Sequence, residues 1–193
     1  ITSIDVKKAQ NVIGPNAGVE NVLMTLPGVS NNNELSTQYN VRGGNFDENL
    51  VYVNGIQVYR PFLIRSGQQE GLSFINSNMV QNINFSAGGF QAKYGDRLSS
   101  VLDITYRKPK ETFTTIEASL LGASATFEDA FLNNKLTTIT GVRYRDNSLF
   151  VNSKQTDVNF RPRFTDVQTY LTYEFSEKFT LSFLGNFSLN DYN

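Results

Sequence analysis

The sequence contains no cysteine, no histidine and no tryptophan in its 193 residues. Without cysteine there is no disulfide and no thiolate chemistry, though this leaves the redox compartment open. Without histidine there are no Ser-His or Cys-His dyads and no imidazole metal ligands. No Ser-Lys or paired-carboxylate spacing stands out either, so the residues give no basis for an enzyme, and none calls for a cofactor or a metal. The formal net charge is −1. A chain so balanced lacks the basic surface that nucleic-acid binding requires. No apolar run reaches the ~18 residues of a membrane-spanning helix. The opening residues, Ile1-Thr2-Ser3-Ile4-Asp5, lack both the basic and the apolar region of a signal peptide, and a processed chain would read the same way.

What the sequence does contain is strand-forming. It has 15 Phe and 9 Tyr alongside many Thr and Val, all residues that favour pleated sheets. The length allows one large domain or two small ones. In the first half, residues 1–6 predict a short strand, and Pro15-Asn16-Ala17-Gly18 a turn leading into a helix. Val19, Val22, Leu23 and Leu26 then fall on one helical face, which Pro27-Gly28 ends. Residues 30–37 are polar and aperiodic, a loop, and 38–42 are a strand ending at Gly43-Gly44. Asn54-Gly55 between 50–53 and 56–58 predicts a tight hairpin, since both residues tolerate positive φ. Residues 59–71 read as a loop, 72–76 as a helical turn, and 81–86 and 99–106 as strands. This is a mixed α+β domain over residues 1–108, with Lys108-Pro109-Lys110 as its exit.

From about Thr112 alternation takes over. Phe179, Leu181, Phe183, Phe187 and Leu189 oppose Thr180, Ser182, Asn186 and Ser188. Similar alternation runs through 167–175 and 114–121, and more loosely through 123–131 and 135–145. The strands come out at roughly 9–11 residues, enough for a tilted transmembrane strand. Two connections are tight, 132–135 and 176–178, whereas 146–166 is long and polar. Alternation alone fits a soluble β-sandwich equally well. Strand length and unequal connections favour a membrane β-barrel, which has short turns on one side and long loops on the other. About five strands are too few to close one. The expected fold class is therefore an α+β domain followed by antiparallel transmembrane β-barrel strands, with 109–193 an incomplete set.

Five motifs occur in order. They are Val22-Leu23-Met24-Thr25-Leu26-Pro27-Gly28-Val29, Asn40-Val41-Arg42-Gly43-Gly44, Leu50 through Val58, Gly88-Gly89-Phe90-Gln91-Ala92-Lys93-Tyr94-Gly95, and Arg97 through Ile104. Together they resemble the plug domain of TonB-dependent outer-membrane receptors, with Asn54 where that family usually has Asp. The closing block resembles a branch common in Bacteroidetes whose receptors often carry a carboxypeptidase-regulatory-like domain ahead of the plug. The resemblance implies a plug and the N-terminal portion of a barrel of about 22 strands. It implies TonB-dependent import of a scarce solute across the bacterial outer membrane, without covalent chemistry. TonB, working with ExbB and ExbD, would engage a box upstream of Ile1, and a surface lipoprotein is a further possible partner. The alternative is a structural or assembly subunit built on a transporter-like barrel, since fold does not fix function.

By the same resemblance, three plug loops face outward: residues 30–36, 44–48 and 58–61. The candidate solute contacts there are Asn32, Glu34, Asn45, Asp47, Tyr59 and Arg60. The resemblance also makes Arg42 a latch that pairs with a barrel carboxylate, a task suited to a guanidinium that stays charged and grips in a bidentate fashion. Ala87 stands where the family often has a second basic residue, and Arg97 is the candidate substitute. Arg143, Arg145, Glu117 and Glu174 are candidates to line a barrel lumen.

Overall fold

The computed structural model describes residues 2–7, 18–31, 37–59, 61, 73–95, 97–146, 148 and 162–192. The chain divides into two compact units, Ile1–Tyr106 and Arg107–Asn193.

The first unit is built on strands β1 (Thr2–Ile4), β4 (Asn49–Val53), β5 (Ile56–Gln57), β6 (Val80–Ser86) and β7 (Ser100–Tyr106). They form one mixed sheet in the order β1-β6-β7-β4-β5. β4 and β7 lie parallel, and the other pairs are antiparallel. The register puts Ile83 and Phe85 beside Ile104 and Leu102, and these beside Val53 and Val51. All six are buried, as are Val19 and Leu23 of helix α1 (Val19–Leu23) and Tyr39 and Met79. Tyr39 meets Phe85 edge to face at 6.3 Å. Each such aliphatic or aromatic side chain contributes about 1.5–3 kcal/mol by leaving water, so this face holds the unit together. The opposite face carries Asn84, Tyr52 and Asp103 and is half-open.

Local chemistry explains the turns. Asn54 and Gly55 have φ of +50° and +77°, the geometry a two-residue hairpin needs. Tyr52 then pairs with Gln57 and Val53 with Ile56. Several expectations need correction. The helix stops at Leu23, so Leu26 lies beyond it, and the helix buries Glu20 as well as its apolar face. The strand expected over 38–42 is only β3 (Asn40–Val41), because Arg42 turns into the left-handed region at φ +51°. β3 pairs with β2 (Val29–Ser30), so Ser30 belongs to a strand rather than to the polar loop expected from residue 30. The helical turn expected over 72–76 instead spans Ser77–Met79, where Asn76 accepts a hydrogen bond from the Asn78 amide at 3.1 Å and caps a 3₁₀ turn. The turn at Pro15-Asn16-Ala17 lies outside the described residues.

The second unit is an antiparallel meander of β8 (Phe113–Ser119), β9 (Gly122–Phe131), β10 (Leu136–Asp146), β11 (Pro162–Ser176) and β12 (Phe179–Tyr192). Among the described residues this sheet is open, with β8 and β12 as its edges. Leu132, Asn133 and Asn134 all take positive φ in the β9–β10 turn. β11 starts five residues earlier than the alternation predicted, at Pro162 rather than Val167. Cross-strand charge pairs account for this. Arg143 Nε donates to Asp166 Oδ1 at 2.6 Å and Arg163 Nε to Asp146 Oδ2 at 3.3 Å, so polar residues that read as loop are satisfied within the ladder. The strands are also less even than expected, from 7 residues in β8 to 15 in β11.

The two faces of this sheet invert the pattern of a soluble sandwich. Thr126, Thr137, Asp166, Gln168 and Thr172 share one face by register and are buried. Ile116, Phe127, Leu181, Phe183, Phe187 and Leu189 share the opposite face by register and are exposed. Arg143, Arg145, Glu117 and Glu174 all fall on the polar face.

Candidate functional site

The first unit gathers its candidate residues at one end of its sheet. β4 and β7 both begin there, with Asn49 beside Ser100, and β6 ends there, with Ser86 beside Val101. β5 runs back toward the same end, because the Val58 amide donates to the Val51 carbonyl at 2.8 Å. The loops at this end are thus 42–48, 58–59, 87–90 and 97–99.

Asn45 and Asp47 lie in or next to a 3₁₀ turn, Phe46–Glu48, and both are exposed. The adjacent carboxylates part company here. Glu48 Oε2 accepts a bond from Ser99 Oγ at 2.6 Å, and the Ser99 amide donates to the Glu48 carbonyl at 3.3 Å. Asp47 is left open to solvent. Tyr59 is 79% exposed, and Leu98 beside Arg97 is 85% exposed. Arg42 and Arg97 are both exposed. Among the described residues, no carboxylate forms an ion pair with Arg42 or Arg97. The structure therefore places Asn45, Asp47, Tyr59, Arg42 and Arg97 at a common end. Asn32, Glu34 and Arg60 lie outside the described residues.

Gly44 sets how tightly this end closes. A Cβ at Gly44 would lie 1.7 Å from Ser99 Oγ and 2.6 Å from Glu48 Oε2. Only a glycine lets the two loops meet. The sequence offered Gly43-Gly44 as a strand end. It gave no sign of the pairing with Ser99, which depends on contact between segments some 50 positions apart, at |i−j| of 51 for Glu48 and Ser99.

A second cluster, absent from the sequence reading, lies on the half-open face. Tyr94 donates its hydroxyl to Asp103 Oδ2 at 2.5 Å, and its ring meets that of Tyr52 at 5.2 Å. Lys93 sits over the Tyr94 ring at 4.5 Å and lies 3.9 Å from Asp103. Burial, then the bond to Asp103, pushes the Tyr94 phenol up, in keeping with its role as the donor of that bond. This clasp pins the 88–95 loop to the sheet. Tyr94→Phe removes the bond and keeps the ring contact. It is expected to cost about 1.5–3 kcal/mol as a charge-assisted hydrogen bond, at the lower end because the site is half-exposed. Faster amide exchange confined to residues 88–99 would report it, and unchanged exchange there would refute the clasp.

The family model of the TonB-dependent receptor plug domain matches residues 1–100. Among solved structures, a mutant of the ferric enterobactin receptor PfeA from Pseudomonas aeruginosa is similar over 99% of this chain, with TM-score 0.67 and 18% identity. The outer membrane transporter YddB from Escherichia coli is similar over 98%, with TM-score 0.67 and 11% identity. At these identities the likeness is one of fold. This chain spans about a third of either structure, 33% in both cases. A search of curated proteins finds no match to the sequence.

Proposed function

The chain belongs to the TonB-dependent receptor plug domain family, with residues 1–100 matched, and from that premise we propose that it works in TonB-dependent import of a scarce solute across the bacterial outer membrane. Residues 1–108 act as the plug and 109–193 as the opening strands of the barrel. The observation that carries this reading is the inverted second sheet, apolar outside and polar inside, directly following a plug fold. A lipid-facing sheet cannot keep open edges, because hydrocarbon offers no partner to free backbone groups. The free edges of β8 and β12 therefore call for further strands, up to about 22 in plugged transporters. The closing block of the plug fits the Bacteroidetes branch, with its carboxypeptidase-regulatory-like domain.

In this reading the gathered sheet end faces outside, and Asn45, Asp47 and Tyr59 contact the solute, together with Asn32, Glu34 and Arg60. Positioned loops on a rigid sheet are where binding tends to reside. Arg42, and Arg97 beside it, latch the plug to barrel carboxylates. TonB, energised by ExbB and ExbD, pulls on the plug to loosen it, and a surface lipoprotein completes the receptor.

Uptake by a deletion strain under iron or nutrient limitation tests the reading. Loss of uptake, equal to that caused by removing TonB, is expected. Normal uptake, with the protein held in a stable lipoprotein complex, would identify a structural subunit instead. For the latch, Arg42→Ala in the full receptor is expected to lower the urea midpoint of plug unfolding and to alter uptake. Removal of a bidentate charge-assisted pair costs about 1.5–3 kcal/mol. Unchanged midpoint and uptake together would rule the latch out.

A further inference from the structure

Arg42 is held in an unusual setting. It is a non-glycine residue at φ +51°, between Val41 of β3 and Gly43 at φ +81°. Its amide donates to the Gly28 carbonyl at 2.8 Å, which fixes its backbone against the exit of α1. Its side chain then crosses two glycines. A Cβ at Gly28 would lie 3.5 Å from Arg42 Cγ, and a Cβ at Gly88 would lie 3.3 Å from Arg42 Nη1. Gly28 and Gly88 both have φ of +78°. The aliphatic stem thus passes over one bare Cα and the guanidinium over another, while the residue as a whole stays exposed.

We infer that Gly28 and Gly88 form a slot that aims the Arg42 guanidinium, making these glycines positioning residues for the latch. The inference rests on the latch reading above. A long, free arginine loses much rotamer freedom when it pairs. A side chain already laid along a slot loses less, and its planar fork faces one direction before the partner arrives. Left-handed backbone at Arg42 starts the side chain on this path; a Cβ at Gly28 would meet its stem at ordinary van der Waals distance, and the bare Gly88 leaves the room that a Cβ would take from the guanidinium. Gly89 next door provides the contrast. It too is left-handed, at φ +62°, but a Cβ there would meet nothing within 4 Å.

The test is a double-mutant cycle in the full receptor, read as the urea midpoint of plug unfolding and as solute uptake. Gly88→Ala and Gly89→Ala both place alanine in left-handed backbone, and only the first narrows the slot. Gly88→Ala is expected to lower the midpoint further than Gly89→Ala, and that excess should vanish in an Arg42→Ala background. Equal shifts for the two glycines, or an excess that survives without the arginine, would overturn the slot while Arg42→Ala alone still destabilises. No effect of Arg42→Ala alone would overturn the latch itself, and the slot's role with it. If Gly88→Ala fails to assemble, recovery of assembly on adding Arg42→Ala is the expected result, and continued failure counts against the slot.

Discussion

Gly44→Ala is expected to loosen the gathered end of the plug sheet at a cost of roughly 2–4 kcal/mol, combining an overpacked contact with the loss of a charge-assisted hydrogen bond. The added methyl would sit 1.7 Å from Ser99 Oγ and 2.8 Å from Ser99 Cβ. Rotating the serine clears the first contact but not the second, so the backbone must give way. That movement breaks the Ser99–Glu48 bond of 2.6 Å and frees the turn that holds Asp47. The urea midpoint of plug unfolding in the full receptor should fall, and solute affinity with it. Ser99→Gly in the same chain removes the two serine atoms, leaving only the Glu48 carboxylate, which can swing aside, and should restore part of the stability but not the hydrogen bond. If Gly44→Ala alone leaves the midpoint in place, the close approach of these loops is wrong.

Glu128→Ala is expected to destabilise the second unit by about 2–3 kcal/mol, short of the full cost of breaking a buried ion pair because Arg107 keeps some water. Arg107 Nε and Nη2 both donate to Glu128 Oε1, at 3.0 and 2.6 Å, where the side chains are 30% and 11% exposed. The next residue, Lys108, pairs with Glu174 of β11, and those side chains are 49% and 41% exposed. Thus the segment entering β8 is tied to β9 and β11. The two ties should differ in salt. Screening reaches exposed charges and largely spares buried ones. Glu174→Ala should cost under about 1 kcal/mol and lose its effect in high salt, as surface pairs do. Glu128→Ala should keep its effect there. Hydrogen exchange over residues 107–119 would read both, and identical salt dependence would contradict the difference in burial.

Local features of this fold were legible in the sequence and long-range ones were not. Asn54-Gly55 announced its hairpin because the turn depends on two residues alone. The alternation in 179–189 announced a strand because one face stays apolar throughout. Nothing local marks β4 and β7 as a parallel pair, or Glu48 as the partner of Ser99, since those pairings join distant segments. Charge masks the strand at 162–166. Arg163 and Asp166 look like loop residues, yet their partners lie on β10. Of the proposed site, Arg42 could be picked out by motif, but its left-handed backbone could not, because arginine rarely adopts it.

The pairing order also constrains how the plug reaches its native state. Among the described residues its first strand pairs with β6, joining residue 4 to residue 83, and β4 pairs with β7 across a separation of 51 residues. Such high contact order slows folding, because closing a long loop costs entropy before any pairing repays it. The β4–β5 hairpin needs only neighbouring residues, whereas the sheet that holds it is complete only once the residues up to Tyr106 are present. Pairing across the sheet therefore rewards the chain late, after the local hairpin and the short helix can already have formed.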